Sequence, residues 1–243
     1  METVHGGDHS VKLIVLVLLV PLLVFGQKKS KTPTVDDILQ NVEKNSADVS
    51  DFTVNVDAEV NLEGLRVPKS QVKMAYKRPD KVHFTSSSFA MIPRGDIIPN
   101  TAALKEKFDI TLASVEETGG KKLYKLKLVS KEPRLRFQQS FRWVDGGMWT
   151  IVKSQNVSPE GSALTMDFTY EQQQGKYWLP VKLVAMFETL VQDKTGNLIP
   201  ESIPGAAQQL NELQRPPRSG SVNISFSGYK VNVGIPDEYF QSK

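Results

Sequence analysis

The sequence predicts a mainly β protein built on one large antiparallel sheet of about ten strands. Three observations carry that reading. Phe52, Val54, Val56, Ala58, Val60 and Leu62 alternate with Thr53, Asn55, Asp57, Glu59 and Asn61, and successive side chains on a strand point to opposite faces. The alternation returns at Val72, Met74 and Tyr76, at Val82 and Phe84, and then in segments joined by glycine-containing turns. Helical periodicity is confined to three short segments, residues 35–47, 101–107 and 205–214.

Taken in order, the chain opens on a leader. Leu13 to Phe25 is an apolar run behind Lys12, shorter than the roughly 20 residues that span a bilayer. Val24 and Gly26 are small residues ahead of the polar Gln27-Lys28-Lys29, so residues 1–26 read as a secretory signal peptide. An uncleaved anchor is the alternative, because Glu2 and Asp8 are unusual in a signal's lead-in. On either reading the domain is exported. Residues 27–33 form a linker. Thr34 is then a helix cap, with Asp36 and Asp37 in the first turn, where they suit the helix dipole. Val35, Ile38, Leu39 and Val42 make one apolar stripe, which must pack on something.

After the strands of 52–62, 72–76 and 82–84, residues 87–100 read as a loop with two prolines and exposed apolar groups. Thr101 caps a short helix. Phe108, Ile110 and Leu112 begin a strand, Gly119-Gly120 turn it, and Tyr124, Leu126 and Leu128 return. Phe137, Phe141 and Trp143 lead to the turn Asp145-Gly146-Gly147, and Trp149 to Val152 pair back. Leu164 to Tyr170 and Tyr177 to Phe187 make the next hairpin, around Gly175. A proline-rich stretch, 190–220, interrupts the series and holds the short helix with Ala206, Leu210 and Leu213. Val222, Ile224 and Phe226 form the last strand.

Composition narrows the function. Apolar content of 40% and charged content of 23% are ordinary for a folded domain. A net charge of +3 is spread along the chain, which gives no concentrated basic face for nucleic acid. With no cysteine there is no disulfide, thiol nucleophile or cysteine-linked lipid. Of three histidines only His83 lies outside the leader, so a multi-histidine metal site is excluded and no cofactor is indicated. Glu116 and Glu117 face opposite ways on a strand and make a poor acid-base pair. The glycine pairs sit in hairpin turns and do not lead into helices as phosphate loops do. No enzyme signature remains. Trp143, Trp149 and Trp178 fit either a core or a ligand cavity. The dry face of the sheet needs cover, and periodicity leaves two solutions open: a second sheet, or a curved sheet lidded by helices.

A family resemblance bears on this choice. Tyr76-Lys77-Arg78-Pro79-Asp80-Lys81-Val82-His83-Phe84, behind an export signal, an amphipathic helix and a strand of the 52–62 type, resembles the LolA-like outer-membrane lipoprotein carrier superfamily. The Lys-Arg-Pro step is its most recognisable motif. The closing Tyr229-Lys230-Val231-Asn232-Val233-Gly234-Ile235-Pro236-Asp237 resembles the superfamily too. The resemblance spans most of residues 35–243 and implies one domain: a curved, incomplete antiparallel β-barrel closed by a helical lid. The implied cavity takes acyl chains of lipoproteins or lipids, with Val54, Val56, Ala58, Val72, Met74, Tyr76 and Phe84 on its wall. In the carriers the arginine of the Arg-Pro motif holds the lid closed, and Arg78 matches it. Ile38, Leu39, Val42 and Leu210 are the expected lid contacts. The implied function is non-catalytic: a periplasmic carrier or binder in outer-membrane lipoprotein sorting, with inner- and outer-membrane transport partners. An envelope-stress sensor or regulatory interaction protein on the same fold is the alternative. The segment SSSFAMIPRGDIIPN and the 190–220 stretch depart from the carriers and leave the cargo open.

Overall fold

The computed structural model describes residues 32–62, 65–66, 69–85, 97–132, 139–158, 161–192, 198–200 and 220–241. The leader, nearly all of the linker, most of the 87–100 loop and the 205–214 helix with Leu210 lie outside these residues. Within Pro33–Lys243 the strands are β1 (Asp51–Leu62), β2 (Leu65–Arg66), β3 (Ser70–Lys77), β4 (Lys81–Phe84), β5 (Phe108–Thr118) and β6 (Lys121–Ser130). They continue as β7 (Gln139–Asp145), β8 (Ile151–Val157), β9 (Ser162–Gln173), β10 (Tyr177–Gln192), β11 (Leu198–Pro200) and β12 (Gly220–Val231). Ten of them run in the order β4-β3-β1-β12-β10-β9-β8-β7-β6-β5, with β2 beside β1 and β11 beside β10. Every neighbour is antiparallel. The sheet curves but does not close, and β4 and β5 stand at its two ends.

Register puts the apolar positions on one concave face. Val56 lies between Val72 and Phe226, and Val54 opposite Met74. Ile224 lies opposite Ala58 and Leu183, and Leu183 opposite Phe168. Ladder irregularities occur at Thr53/Asn55, Leu112/Ser114, Trp143/Val144 and Pro180/Lys182, and such bulges bend strands and add twist. Pro180 has no N–H for the ladder, so a bulge is where a long inner strand such as β10 tolerates it. Gly228 has φ of +67°, and a Cβ there would come within 3.1 Å of the Asn55 side chain, so the β1–β12 irregularity is built around a glycine.

Two short helices accompany the sheet. Helix α1 (Val35–Ser46) is capped by Thr34, whose side chain accepts from the Asp37 N–H while Asp37 accepts from the Thr34 N–H. This reciprocal cap fixes the helix start. Helix α2 (Thr101–Lys107) is capped by Asn100, which accepts from the Ala103 N–H. The expected cap, Thr101, is instead the first helical residue, and its hydroxyl donates to Glu43 at 2.8 Å.

The concave face carries two apolar clusters. One unites Phe52, Val54, Val56, Met74, Leu183 and Ile224 with their neighbours on β1, β3, β9, β10 and β12. The other joins Ile38, Leu39 and Val42 of α1 to Tyr124, Leu126, Leu128, Val144 and Ile151 of β6, β7 and β8. A single curved sheet with a docked helix is thus the arrangement, and no second sheet is packed on it among the described residues. On β7 the inward residues are Ser140, Arg142 and Val144, opposite Leu128, Leu126 and Tyr124. Phe141 and Trp143, which mark the strand in the sequence, face outward. Lys125 lies 5.0 Å from the Phe141 ring and 4.8 Å from the Trp143 ring.

Candidate functional site

The site is the docked helix and what holds it. Ile38, Leu39 and Val42 are buried at 0–2% exposure, so the stripe of α1 is fully used against the sheet. The helix ends at Ser46, and its last carbonyls need partners. Arg78, in the turn between β3 and β4, supplies them. Its backbone N–H donates to the Ser50 carbonyl at 2.8 Å. Its Nη2 donates to the Ser46 carbonyl and, at 3.3 Å, to Ser46 Oγ. Its Nε donates to the Val49 carbonyl at 3.2 Å, and its Nη1 pairs with Glu43 Oε1 at 2.9 Å. A planar guanidinium with five donors suits such a cluster of carbonyls, and its positive charge complements the negative end of the helix dipole. The Arg78–Pro79 peptide is cis.

Glu43 carries the contact onward. Its second oxygen accepts from Thr101 of α2, and Asp36 of α1 pairs with Lys105 of α2 at 2.7 Å. The two helices and the β3–β4 turn therefore form one tied assembly. Sequence pattern does not single out Glu43, and it marks Thr101 only as a cap. The one available signal is that Glu43 stands next to the apolar stripe, near the helix end.

A second clamp holds the same hairpin from the other side. Asp237 pairs with Lys77 at 2.6 Å and with Lys81 at 3.0 Å. Hydrogen bonds from Lys77 and then Lys81 hold the Asp237 carboxyl below the usual carboxylate range. The buried Asp51 carboxylate accepts from the consecutive N–H groups of Val233, Gly234 and Ile235, which fastens the closing segment to the start of β1. His83 is half-buried, with its ring 5.1 Å from that of Tyr239.

Of the expected wall residues, Val54, Val56, Ala58, Val72, Met74 and Tyr76 are buried in the first cluster, with Phe84 packed at its margin. Beneath the C-terminal half of α1, Trp149 and Trp178 border a void of about 20 Å³ together with Val42, Ser46 and Ile97. Trp149 stacks on Tyr124 at 5.7 Å and holds φ of +52°. Asp145 Oδ1 accepts from the N–H groups of Gly147 and Met148, which shapes that turn.

A larger space opens at the seam where the sheet fails to close. A cleft of about 280 Å³ lies between the β3–β4 hairpin and the α2–β5 junction. Tyr76 and Ile98 are buried in its floor, and Val82, Leu104 and Phe108 are half-buried along its walls. Asp80 and Lys107 are exposed and also border it. Burial pushes the Tyr76 hydroxyl up to about 12, with the nearby Arg78 charge opposing the shift, and this hydroxyl donates to the Pro79 carbonyl at 3.2 Å. Among the described residues no group of three or more His, Cys, Asp or Glu is placed to hold a metal.

A curved, unclosed antiparallel sheet with a helix docked on its concave face defines a LolA-like fold. Known structures agree. A DUF1329 family protein from Desulfovibrio piger superposes with a TM-score of 0.54 at 15% identity, covering 86% of this chain and 98% of that one. A LolA superfamily protein from Nitrosomonas europaea superposes with a TM-score of 0.51 at 13% identity, covering 87% of this chain and 99% of that one. No protein-family model and no curated protein matches the sequence.

Proposed function

We propose that this chain is a non-catalytic, periplasmic binder or carrier of acyl chains of lipids or lipoproteins, with α1 as its lid. The supporting observation is the Arg78 contact set at the end of α1. A helix that covers an apolar concave face is gripped at one end by a single polar side chain from a hairpin turn. A polar grip that water can replace suits a helix that leaves its seat. When it lifts, the faces of β6–β8 it covers open as an acyl site, which continues along the same concave face toward the wall of Val54, Val56, Val72 and Met74.

On this reading the leader directs export and is removed after Gly26, and the carrier meets a donor and an acceptor membrane partner. N-terminal sequencing of the exported form should begin at Gln27. Delipidated protein should bind a fluorescent fatty acid saturably and release it to unlabelled lipid. Absence of saturable binding for any acyl ligand would end the proposal.

A further inference from the structure

The seam cleft has its own chemistry, and a ligand site there rests on the acyl-binding reading. Its floor and walls are apolar, yet Val82, Leu104 and Phe108 are left half-buried. Its volume of about 280 Å³ lies just under the usual range for small-molecule sites, roughly 300–1,000 Å³. A cleft of this size suits a small ligand or part of one alkyl chain.

The charges at this cleft are of opposite sign and come from different elements. Asp80 belongs to the β3–β4 turn and Lys107 to the end of α2. The neighbouring charges are already paired: Lys77 and Lys81 with Asp237, Lys105 with Asp36, and Lys131 with Asp109. Asp80 and Lys107 form no ion pair among the described residues. A head group bearing only an anion would meet Lys107 but be repelled by Asp80. A head group with both charges meets a partner on each side.

We propose that the seam cleft receives one alkyl chain of a zwitterionic amphiphile, with Lys107 facing its anionic group and Asp80 its cationic group. The cleft is bounded by the elements that the Arg78–Glu43–Thr101 connection ties together, so it is also where a chain enters when the lid loosens.

The chain has no cysteine, so one can be introduced and labelled on the folded protein. Ala103 lies on the α2 wall of the cleft, and Val129 is an exposed residue of β6. Ala103→Cys and Val129→Cys would each be titrated with lysophosphatidylethanolamine before and after reaction with a bulky aromatic maleimide. Labelling Ala103→Cys should weaken binding at least about tenfold, the effect of excluding roughly two methylenes. Labelling Val129→Cys should change nothing. Asp80→Asn should lower the preference for lysophosphatidylethanolamine over lysophosphatidylglycerol by about threefold, in the range of an exposed ion pair.

If wild type binds the amphiphile and the Ala103 label has no effect, the cleft is not the site and the acyl-binding reading stands without it. If the label blocks binding and Asp80→Asn leaves the preference unchanged, the zwitterionic assignment is wrong. If wild type binds no amphiphile, both readings fall together.

Discussion

The Arg78 guanidinium meets the Glu43 carboxylate at 2.9 Å, so the turn ending β3 reaches across to the last helical turn of α1. Most of what Arg78 holds, however, is backbone. The carbonyls of Ser46 and Val49 accept from it as well. A hydrogen bond to a charged group contributes about 1.5–3 kcal/mol net. Arg78→Leu should therefore shift the lid equilibrium toward open by roughly tenfold to a hundredfold. With the grip confined to the empty, closed state, ligand should bind more tightly and leave more slowly, measured against wild type at matched folding stability. Unchanged or weaker binding would remove Arg78 from the mechanism.

Glu43→Gln separates the ion pair from the carbonyl contacts. Arg78 and Glu43 side chains are 28% and 42% exposed, and pairs this wet contribute about 0.2–1 kcal/mol. The amide can still accept from Thr101. The expected change in ligand affinity is less than about fivefold, clearly below that of Arg78→Leu. Equal effects of the two variants would show that the charge, and not the helix-end carbonyls, carries the grip.

Tyr76 gives an alkaline signature. Its folded-state value of about 12 exceeds the unfolded value of about 10. Below pH 10 both states hold the proton, and the stabilisation is fully present. Between pH 10 and 12 the unfolded chain loses the proton first, so stability falls through that window. The fall should be roughly 1–2 kcal/mol, reduced because the residue borders a solvent-filled cleft. Urea midpoints at pH 9 and pH 11.5 should differ more for wild type than for Tyr76→Phe. Equal differences would mean the hydroxyl titrates normally.

Asn232 should matter to stability at the segment that follows α1. It sits at φ of +56°, and its side chain accepts from the N–H and hydroxyl of Ser50 and donates to the Asp48 carbonyl. Alanine loses those bonds, at about 0.5–1.5 kcal/mol each, and is strained in the left-handed region by about 1–2 kcal/mol. Asn232→Ala should cost at least about 2.5 kcal/mol in urea unfolding, and Asn232→Gly less, because glycine keeps the backbone conformation. A larger loss for glycine than for alanine would mean that backbone conformation is not what Asn232 supplies.

These residues also show what a sequence displays and what it hides. The concave positions of β1 and β3 are directly legible, because β1 alternates strictly and sets Phe52, Val54 and Val56 opposite Tyr76, Met74 and Val72 of β3. The start of α1 is legible too, because its cap is a local contact between Thr34 and Asp37. β7 is not. Its large aromatics Phe141 and Trp143 look like core, but they face outward, where the Lys125 ammonium lies over both rings and the Lys153 ammonium over Trp143. Arg142 and Ser140 point inward instead and are bonded to Asn156 of β8. Whether an aromatic or an arginine faces inward depends on the neighbouring strand, which alternation within one strand does not report. The Glu43–Thr101 contact is hidden for the same reason, since its partners are 58 residues apart.

The pairing of β1 with β12 sets the order of assembly. Asn55 lies opposite Ser227, and Val56 opposite Phe226. One side of the first strand must wait for the last strand to be made. Closing so long a loop delays the reward of its contacts, and sheets with such separated partners are slow folders. Until then β1 has β3 on one side and an unpaired apolar edge on the other, a template for stray strands. On the proposed export route, a chain that emerges N-terminus first carries that edge until β12 follows. Its yield there should therefore depend on holdase capacity more steeply than its final stability would suggest.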